Sequence, residues 1–77
     1  MSNRRNNLDV TADILRTAHS GALKTRIVYQ ANLNFKIVKR YLRELLEQGF
    51  IVFNEPHYFT TDKGRSYLTR YEALQSL

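Results

Sequence analysis

Two helices joined by a tight turn are predicted by residues 25–49, TRIVYQANLNFKIVKRYLRELLEQG. The first helix is expected to begin with the Thr25 hydroxyl as its N-cap and to run to about Ala31. The next three residues, Asn-Leu-Asn, interrupt it, because asparagine side chains tolerate turn geometry and compete for backbone hydrogen bonds. Asn34 is also well placed to cap the second helix. The stretch therefore has the pattern helix, turn, helix.

The second of these helices, predicted at Phe35–Gln48, is strongly amphipathic. At 100° per residue its apolar residues share one side, namely Phe35, Val38, Leu42, Leu45 and Leu46. The opposite side holds charged residues, which are Lys36, Lys39, Arg40, Arg43 and Glu47. Gly49 is expected to follow the helix in a left-handed C-cap conformation. We expect the apolar side to rest on a core and the basic side to face outward.

A further helix is predicted upstream. Its apolar residues follow helical spacing, and they are Leu8, Ala12, Ile14, Leu15 and Ala18. Asn6 or Asn7 can supply the N-cap, and both readings stay open at this point. Gly21 marks the end of the segment.

A hairpin and a last helix are predicted downstream. Phe50–Phe53 is rich in β-branched and aromatic residues, Asn54–His57 contains the only proline, and Tyr58–Thr60 can return as a second strand. Thr61 is a suitable N-cap for a helix of about sixteen residues that runs to the C-terminus. Three helices, a two-stranded hairpin and a C-terminal helix define an α+β, mostly helical fold, the winged helix-turn-helix, in which the hairpin is the wing.

The chain is expected to form one domain, because 77 residues can build only one modest core. We divide it into a polar N-terminal tail at 1–7, predicted to be disordered, a winged helix-turn-helix domain at 8–60 and the C-terminal helix at 61–77. The absence of cysteine excludes disulfides and thiolate zinc sites and favours a reducing compartment. No apolar run approaches the roughly 20 residues that span a bilayer, so the protein is expected in the cytoplasm, without a membrane partner.

Residues suited to catalysis are missing from the sequence. His19 and His57 have no metal-binding spacing, no carboxylates are paired for acid-base work, and the three glycines are isolated rather than gathered in a phosphate-binding loop. We therefore predict no cofactor, no metal site, no small-molecule substrate and no enzymatic activity.

The positive charge of the chain lies in its middle. The net charge is +5 and the pI is near 9.9. Residues 21–43 contain six cations and no Asp or Glu. A solvated helix face normally mixes both signs of charge, whereas acidic residues enter here only at Glu44 and Glu47. The pattern favours binding to a polyanion over simple solvation.

The first hypothesis is that the second helix of the pair enters the groove of double-stranded DNA as a recognition helix, while the first crosses the phosphate backbone. The predicted DNA-binding residues are Lys24, Arg26, Asn34, Lys36, Lys39, Arg40 and Arg43. Tyr29 or Gln30 could add phosphate contacts, although an aromatic residue at helical spacing is more often part of a core. Arg4 and Arg5 could reach a minor groove, with disorder as the favoured alternative. The wing tip carries Glu55 and no Lys or Arg, and is expected to pack the sheet edge rather than hold phosphates.

The C-terminal helix carries an apolar stripe with two readings. Its members suited to a dimer contact are Tyr67, Tyr71, Leu74 and Leu77. At helical spacing such a stripe can seal a contact between two subunits or pack onto its own domain. The sequence leaves both open.

Two runs, GALKTRIVYQANLNFKIVKRYLRELLEQGFI at 21–51 and YFTTDKGRSYL at 58–68, resemble the archaeal winged-helix family of small DNA-binding proteins. The segment KTRIVYQANLNFK is the most specific part of this likeness. The resemblance implies a winged helix fold, dimerisation through the C-terminal helix in many members, and a role as transcriptional regulator or as abundant, chromatin-like protein associated with the nucleoid. The last helix here is shorter than the long coiled coil of some members.

The alternative hypothesis is a winged-helix module that binds another protein without direct DNA contact. It would require an apolar docking patch and a charge-neutral recognition helix, and the second condition is not met. RNA binding is weaker still, because the aromatic residues follow core spacing and form no stacking ladder.

Overall fold

Residues 6–77 are described by the structure, a computed structural model. In this part of the chain, four helices and one antiparallel hairpin follow in the order α1 (Asn7–Thr17), α2 (Lys24–Ala31), α3 (Phe35–Glu47), β1 (Ile51–Asn54), β2 (His57–Thr60) and α4 (Asp62–Gln75). This order confirms the predicted α+β winged helix-turn-helix architecture.

Helix α1 begins with a capping box. The Asn6 side chain accepts a hydrogen bond from the Asp9 amide at 2.8 Å, and the Asp9 carboxylate accepts one from the Asn6 amide at 3.3 Å. Together they satisfy two donors that a helix start leaves unpaired. Asn6 is therefore the N-cap of the two alternatives. Asn6 and Asn7, assigned above to the N-terminal tail, belong to the cap and first residue of α1 instead, and residues 1–5 lie outside the described residues.

Two further predicted caps are confirmed and one is wrong. The Asn34 side chain accepts from the Ile37 amide at 2.8 Å, and the Thr61 hydroxyl accepts from the Gly64 amide at 3.1 Å. Thr25 does not cap α2, which begins one residue earlier with Leu23 at the N-cap and no side-chain cap bond. The cause is tertiary, because Ala22 pairs with Tyr58 through two backbone hydrogen bonds and the chain enters the helix directly afterwards.

In the hairpin, β1 begins and ends one residue later than predicted, whereas β2 begins one residue earlier and ends at Thr60 as predicted. The ladder runs from Ile51 opposite Thr60 to Asn54 opposite His57, so the connecting turn contains only Glu55 and Pro56. The Thr60 hydroxyl donates to the Leu15 carbonyl at 2.7 Å, which ties β2 to α1. A hairpin this short needs such packing to be stable.

The core lies between α1, the two helices of the helix-turn-helix and the hairpin. Its largest fully buried side chains are Ile14, Leu15, Ile27, Val38 and Ile51. The apolar side of α3 is narrower than predicted. Val38, Leu42 and Leu45 are buried, whereas Phe35 is 50% and Leu46 38% exposed. At 100° per residue the last two lie at the edge of the apolar arc, where the core has already ended.

Helix α1 also differs in which residues it buries. Leu8, predicted to belong to the apolar side, is 55% exposed in the first turn, and Val10 is buried in its place. None of the helices formed by residues 6–77 combines the length and apolarity needed to cross a membrane.

The first turn of α4 holds the end of α3. The Lys63 ammonium donates to the Gln48 carbonyl at 2.7 Å, and the Thr61 hydroxyl donates to the Gly49 carbonyl at 2.6 Å. Gly49 has φ +79°, which confirms the left-handed conformation expected after α3. Gly64 approaches the Phe50 carbonyl so closely that a Cβ there would overlap it. These contacts orient α3 relative to the remainder of the domain.

Candidate nucleic-acid interface

The outer face of α3 is basic and exposed. Lys36, Lys39, Arg40 and Arg43 are all exposed. Lys36, Arg40 and Arg43 lie across the helix from the buried residues Val38, Leu42 and Leu45, and Lys39 flanks them. We call these four cations the basic face of α3. Because its apolar side is anchored in the core, the helix presents this face in one fixed direction.

No cation of the basic face of α3 forms an ion pair within residues 6–77. The ion pairs described there join Arg16 to Asp13 and Glu72, and Arg65 to Asp62. None involves a cation of α3, although Glu44 and Glu47 belong to the same helix. Glu44 and Glu47 lie four residues after Arg40 and Arg43 and lower the positive charge at that end of α3, whereas Lys36 and Lys39 have no acidic residue at helical spacing.

Two acidic residues, Asp9 of α1 and Glu72 of α4, take part in contacts between these two helices. Asp9 accepts a hydrogen bond from the Tyr71 hydroxyl, and the Arg16 guanidinium contacts Asp13 at 2.9 Å and Glu72 at 3.1 Å. The Tyr71–Asp9 and Arg16–Glu72 contacts fasten α4 onto α1, whereas the Arg16–Asp13 pair lies within α1. Within residues 6–77, none of these carboxylates forms an ion pair with a cation of α3.

Helix α2 contributes a second set of polar groups. Arg26 and Gln30 are exposed, and Lys24 is partly buried with its ammonium 5.1 Å from the centre of the Phe35 ring. Tyr29 is 82% exposed, so its assignment to a core is wrong. An eight-residue helix buries few residues, and in α2 these are Ile27 and Ala31.

Asn34 lies between the two helices, and its side chain has a structural task. Its carbonyl oxygen accepts the Ile37 amide at 2.8 Å as the cap of α3. The amide nitrogen of the same side chain remains a donor. Donation from this amide is therefore the contact to DNA that leaves the cap undisturbed.

The hairpin offers little to a polyanion. β1, β2 and the turn between them contain Glu55 and no Lys or Arg. Val52 and Phe53 are about half exposed, and the Phe53 ring lies 4.7 Å from that of Tyr58. The expectation that the wing tip binds phosphates poorly rests on this composition.

The apolar stripe of α4 divides into two parts. Tyr67 packs its ring 5.3 Å from Phe50, and Tyr71 hydrogen-bonds Asp9, so both contact their own domain. Burial, with the nearby Asp9 charge, raises the pKa of Tyr67, and the hydrogen bond to Asp9 raises the pKa of Tyr71. Leu74 is 66% and Leu77 99% exposed. Only the two leucines remain available for another molecule.

Two features of the site were not predicted from the sequence. Phe35 lies exposed at the start of the basic helix, and Lys63 holds its end. The helical wheel gives a partial signal for Phe35, which lies only about 40° from Lys39. No local signal exists for Lys63, because it contacts Gln48 across a turn and a hairpin.

Arg4 and Arg5 lie outside the described residues. Within those residues, His, Asp and Glu form no group of three that could hold a metal ion.

Comparisons with known proteins extend this description. The sequence is 32% identical over 74 residues to the uncharacterized protein MJ0287 of the archaeon Methanocaldococcus jannaschii, covering 94% of this chain and 76% of that protein. It is 33% identical over 72 residues to MJ0290 of the same organism, covering 92% of this chain but only 34% of that longer protein.

A solved structure resembles the whole fold. Sso10a-2, a DNA-binding protein from Sulfolobus solfataricus, superimposes with a TM-score of 0.81 at 28% sequence identity, covering 94% of this chain and 80% of the other. The sequence profile of the winged helix-turn-helix family matches residues 4–77. With that match and the architecture described above, the chain belongs to the winged helix-turn-helix family.

Proposed function

We propose that the chain binds double-stranded DNA by placing α3 in the major groove. The observation that carries this proposal is the basic face of α3, four exposed cations without an ion pair to residues 6–77 on a helix anchored by its opposite side. A helix of this kind fits the width of the major groove. The likeness to Sso10a-2, itself a DNA-binding protein, supports the same activity.

Helix α2 is proposed to contact the phosphate backbone of the DNA. In a helix-turn-helix the first helix crosses the backbone while the second enters the groove. Arg26, Lys24 and the exposed hydroxyl of Tyr29 are the groups that would fix the docking angle. The side-chain amide of Asn34, which lies between α2 and α3, would donate a hydrogen bond to the DNA. The proposed DNA-contacting set is therefore Lys24, Arg26, Tyr29, Asn34, Lys36, Lys39, Arg40 and Arg43.

Titration of a fluorescent duplex over a range of salt concentrations tests the proposal. Contact with roughly four to six phosphates per monomer should make log affinity fall with log salt at a slope of about −4 to −5. Affinity that does not change with salt would overturn it. On this proposal the protein acts by binding, not catalysis, and works in the cytoplasm on nucleoid DNA.

The biological role is then decided by specificity. A regulator should bind its operator at least about a thousandfold more tightly than random DNA, whereas a chromatin-like protein should bind both with similar affinity. Titration of random and promoter duplexes under one salt condition separates these two roles.

We also propose a contact between two copies through the end of α4. Helix α4 ends at Gln75 and not at the C-terminus as predicted, so the exposed Leu74 lies in its last turn and the exposed Leu77 just after it. Apolar surface of this kind favours burial against a partner. Tyr67 and Tyr71 support the helix from its own domain. A dimer would bring two copies of α3 to one duplex.

A further inference from the structure

Phe35 is the first residue of α3 and remains 50% exposed. Lys36 follows it directly, and Lys39 lies one turn later, about 40° away around the helix. The start of a recognition helix is the part that commonly contacts base edges. An apolar ring thus lies beside the leading cations of the basic face of α3.

The ring is held in this place from the neighbouring helix. The Lys24 ammonium lies 5.1 Å from the ring centre, a cation-π distance. Phe35 thus contacts Lys24, and it lies directly before Lys36 and one helical turn before Lys39 in the chain. When these cations reach phosphates and base edges, the phenyl ring must meet the floor or wall of the same groove instead of water.

A phenyl ring has no strong hydrogen-bond donor or acceptor, and Lys24 already lies over the Phe35 ring, so the remaining exposed surface of the ring is best suited to an apolar feature of the DNA. In the major groove the apolar feature of a base edge is the 5-methyl group of thymine. We propose that Phe35 is a specificity-determining residue that packs on thymine methyl groups and favours A·T base pairs at the start of α3. This inference rests on the proposed binding of duplex DNA.

The experiment compares two duplexes of one sequence, with thymine or with deoxyuridine, which differ in the 5-methyl group alone. The full-length chain should bind the deoxyuridine duplex about fourfold more weakly for each methyl group contacted. Phe35→Ala should bind both duplexes equally. Phe53→Ala is the matched control, since Phe53 is also 50% exposed but lies on the hairpin, and it should keep the full ratio.

The possible outcomes separate this inference from the proposed function. Equal, salt-dependent binding of both duplexes by the unaltered chain overturns the role of Phe35 and leaves DNA binding intact. A ratio that persists in Phe35→Ala, or in Phe35→Gln should the alanine variant be unfolded by circular dichroism, also overturns it. Failure of the unaltered chain to bind either duplex overturns both proposals.

Discussion

The hydroxyl of Tyr71 links the two ends of the described chain. It donates to Asp9, whose other oxygen accepts the amide of the α1 cap residue Asn6. One carboxylate thus serves a helix start and the docking of α4. Because the protonated phenol makes this bond, the pKa of Tyr71 is raised above its ordinary value.

Stability should therefore fall at alkaline pH. The folded state binds the Tyr71 proton more tightly than the unfolded chain, so its contribution is fully present below the unfolded pKa of about 10. It is lost as pH rises through the higher pKa of the folded state. Urea unfolding between pH 8 and 11 measures this loss. In Tyr71→Phe the free energy of unfolding should decline less steeply with pH, and the remaining decline should come from groups such as Tyr67. The same pH profile in Tyr71→Phe and the parent chain would contradict the role given to Tyr71.

Two side chains near the turn give a contrasting pair of substitutions. Asn34→Ala removes the cap of α3 and should lower the free energy of unfolding by about 1 kcal/mol. Thr25→Ala, which removes a hydroxyl that makes no cap bond, should change it by less than about 0.5 kcal/mol. Chemical denaturation of both variants provides the measurement. Equal losses would mean that Thr25 does act as a cap.

At the level of elements, α4 holds α3 through contacts at its first turn. Gly64 lies against the Phe50 carbonyl and the Thr60 side chain, and Lys63 and Thr61 bond the last carbonyls after α3. The angle of α3 therefore depends on a residue without a side chain. A displaced α3 would present its basic face in another direction.

Gly64→Ala should force α4 away from the hairpin. The added methyl group overlaps backbone, which cannot move aside as a flexible side chain can, so we expect a loss of about 1–3 kcal/mol in stability. Ser66→Ala is a suitable control, because Ser66 is exposed in the same helix. Thermal unfolding measures the stability of the two variants. A Gly64→Ala chain as stable as the parent chain would contradict the close contact at Gly64.

The elements themselves were largely predictable, because they follow local rules. Helical spacing placed α3, and the side chains of Asn34 and Thr61 marked two helix starts. The errors arose where a distant residue decides the outcome. Ala22 pairs with Tyr58 and moves the start of α2, and the limit of the core leaves Phe35 exposed. Periodicity gives the direction of a side chain but not how far the core extends.

The candidate site could likewise be predicted only in part. Its cations were visible in the sequence as a stretch without acids. Whether those cations are unpaired depends on tertiary contacts, since Asp13 and Glu72 are held by Arg16 on another surface. The sequence could not separate the two readings of the α4 stripe either, because Tyr67 contacts a residue just before β1 and Tyr71 contacts a residue of α1.

At the level of the whole molecule, the basic face of α3, with the exposed Phe35 beside it, is separated from the two exposed leucines near the C-terminus. The basic face lies on α3, and the exposed leucines lie at the end of α4. Such a separation allows one molecule to contact DNA and a second copy at the same time.

Leu74→Glu should convert a dimer to a monomer. The substitution places a charge in the proposed contact while leaving the domain core untouched, because Leu74 is 66% exposed. Sedimentation equilibrium of the parent and variant chains measures the change in mass. A parent chain that is monomeric at high concentration, or a variant that remains dimeric, would contradict the contact.

The central claim is that DNA binds the basic face of α3, and two double variants of equal net charge test it most directly. Lys39→Ala with Arg40→Ala removes two cations from that face, whereas Arg65→Ala with Arg70→Ala removes two exposed cations from α4. The measurement is duplex affinity against salt. We predict weaker binding and a slope flatter by about two units for the α3 variant alone. Equal losses in both variants, or no loss in the α3 variant, would contradict the account.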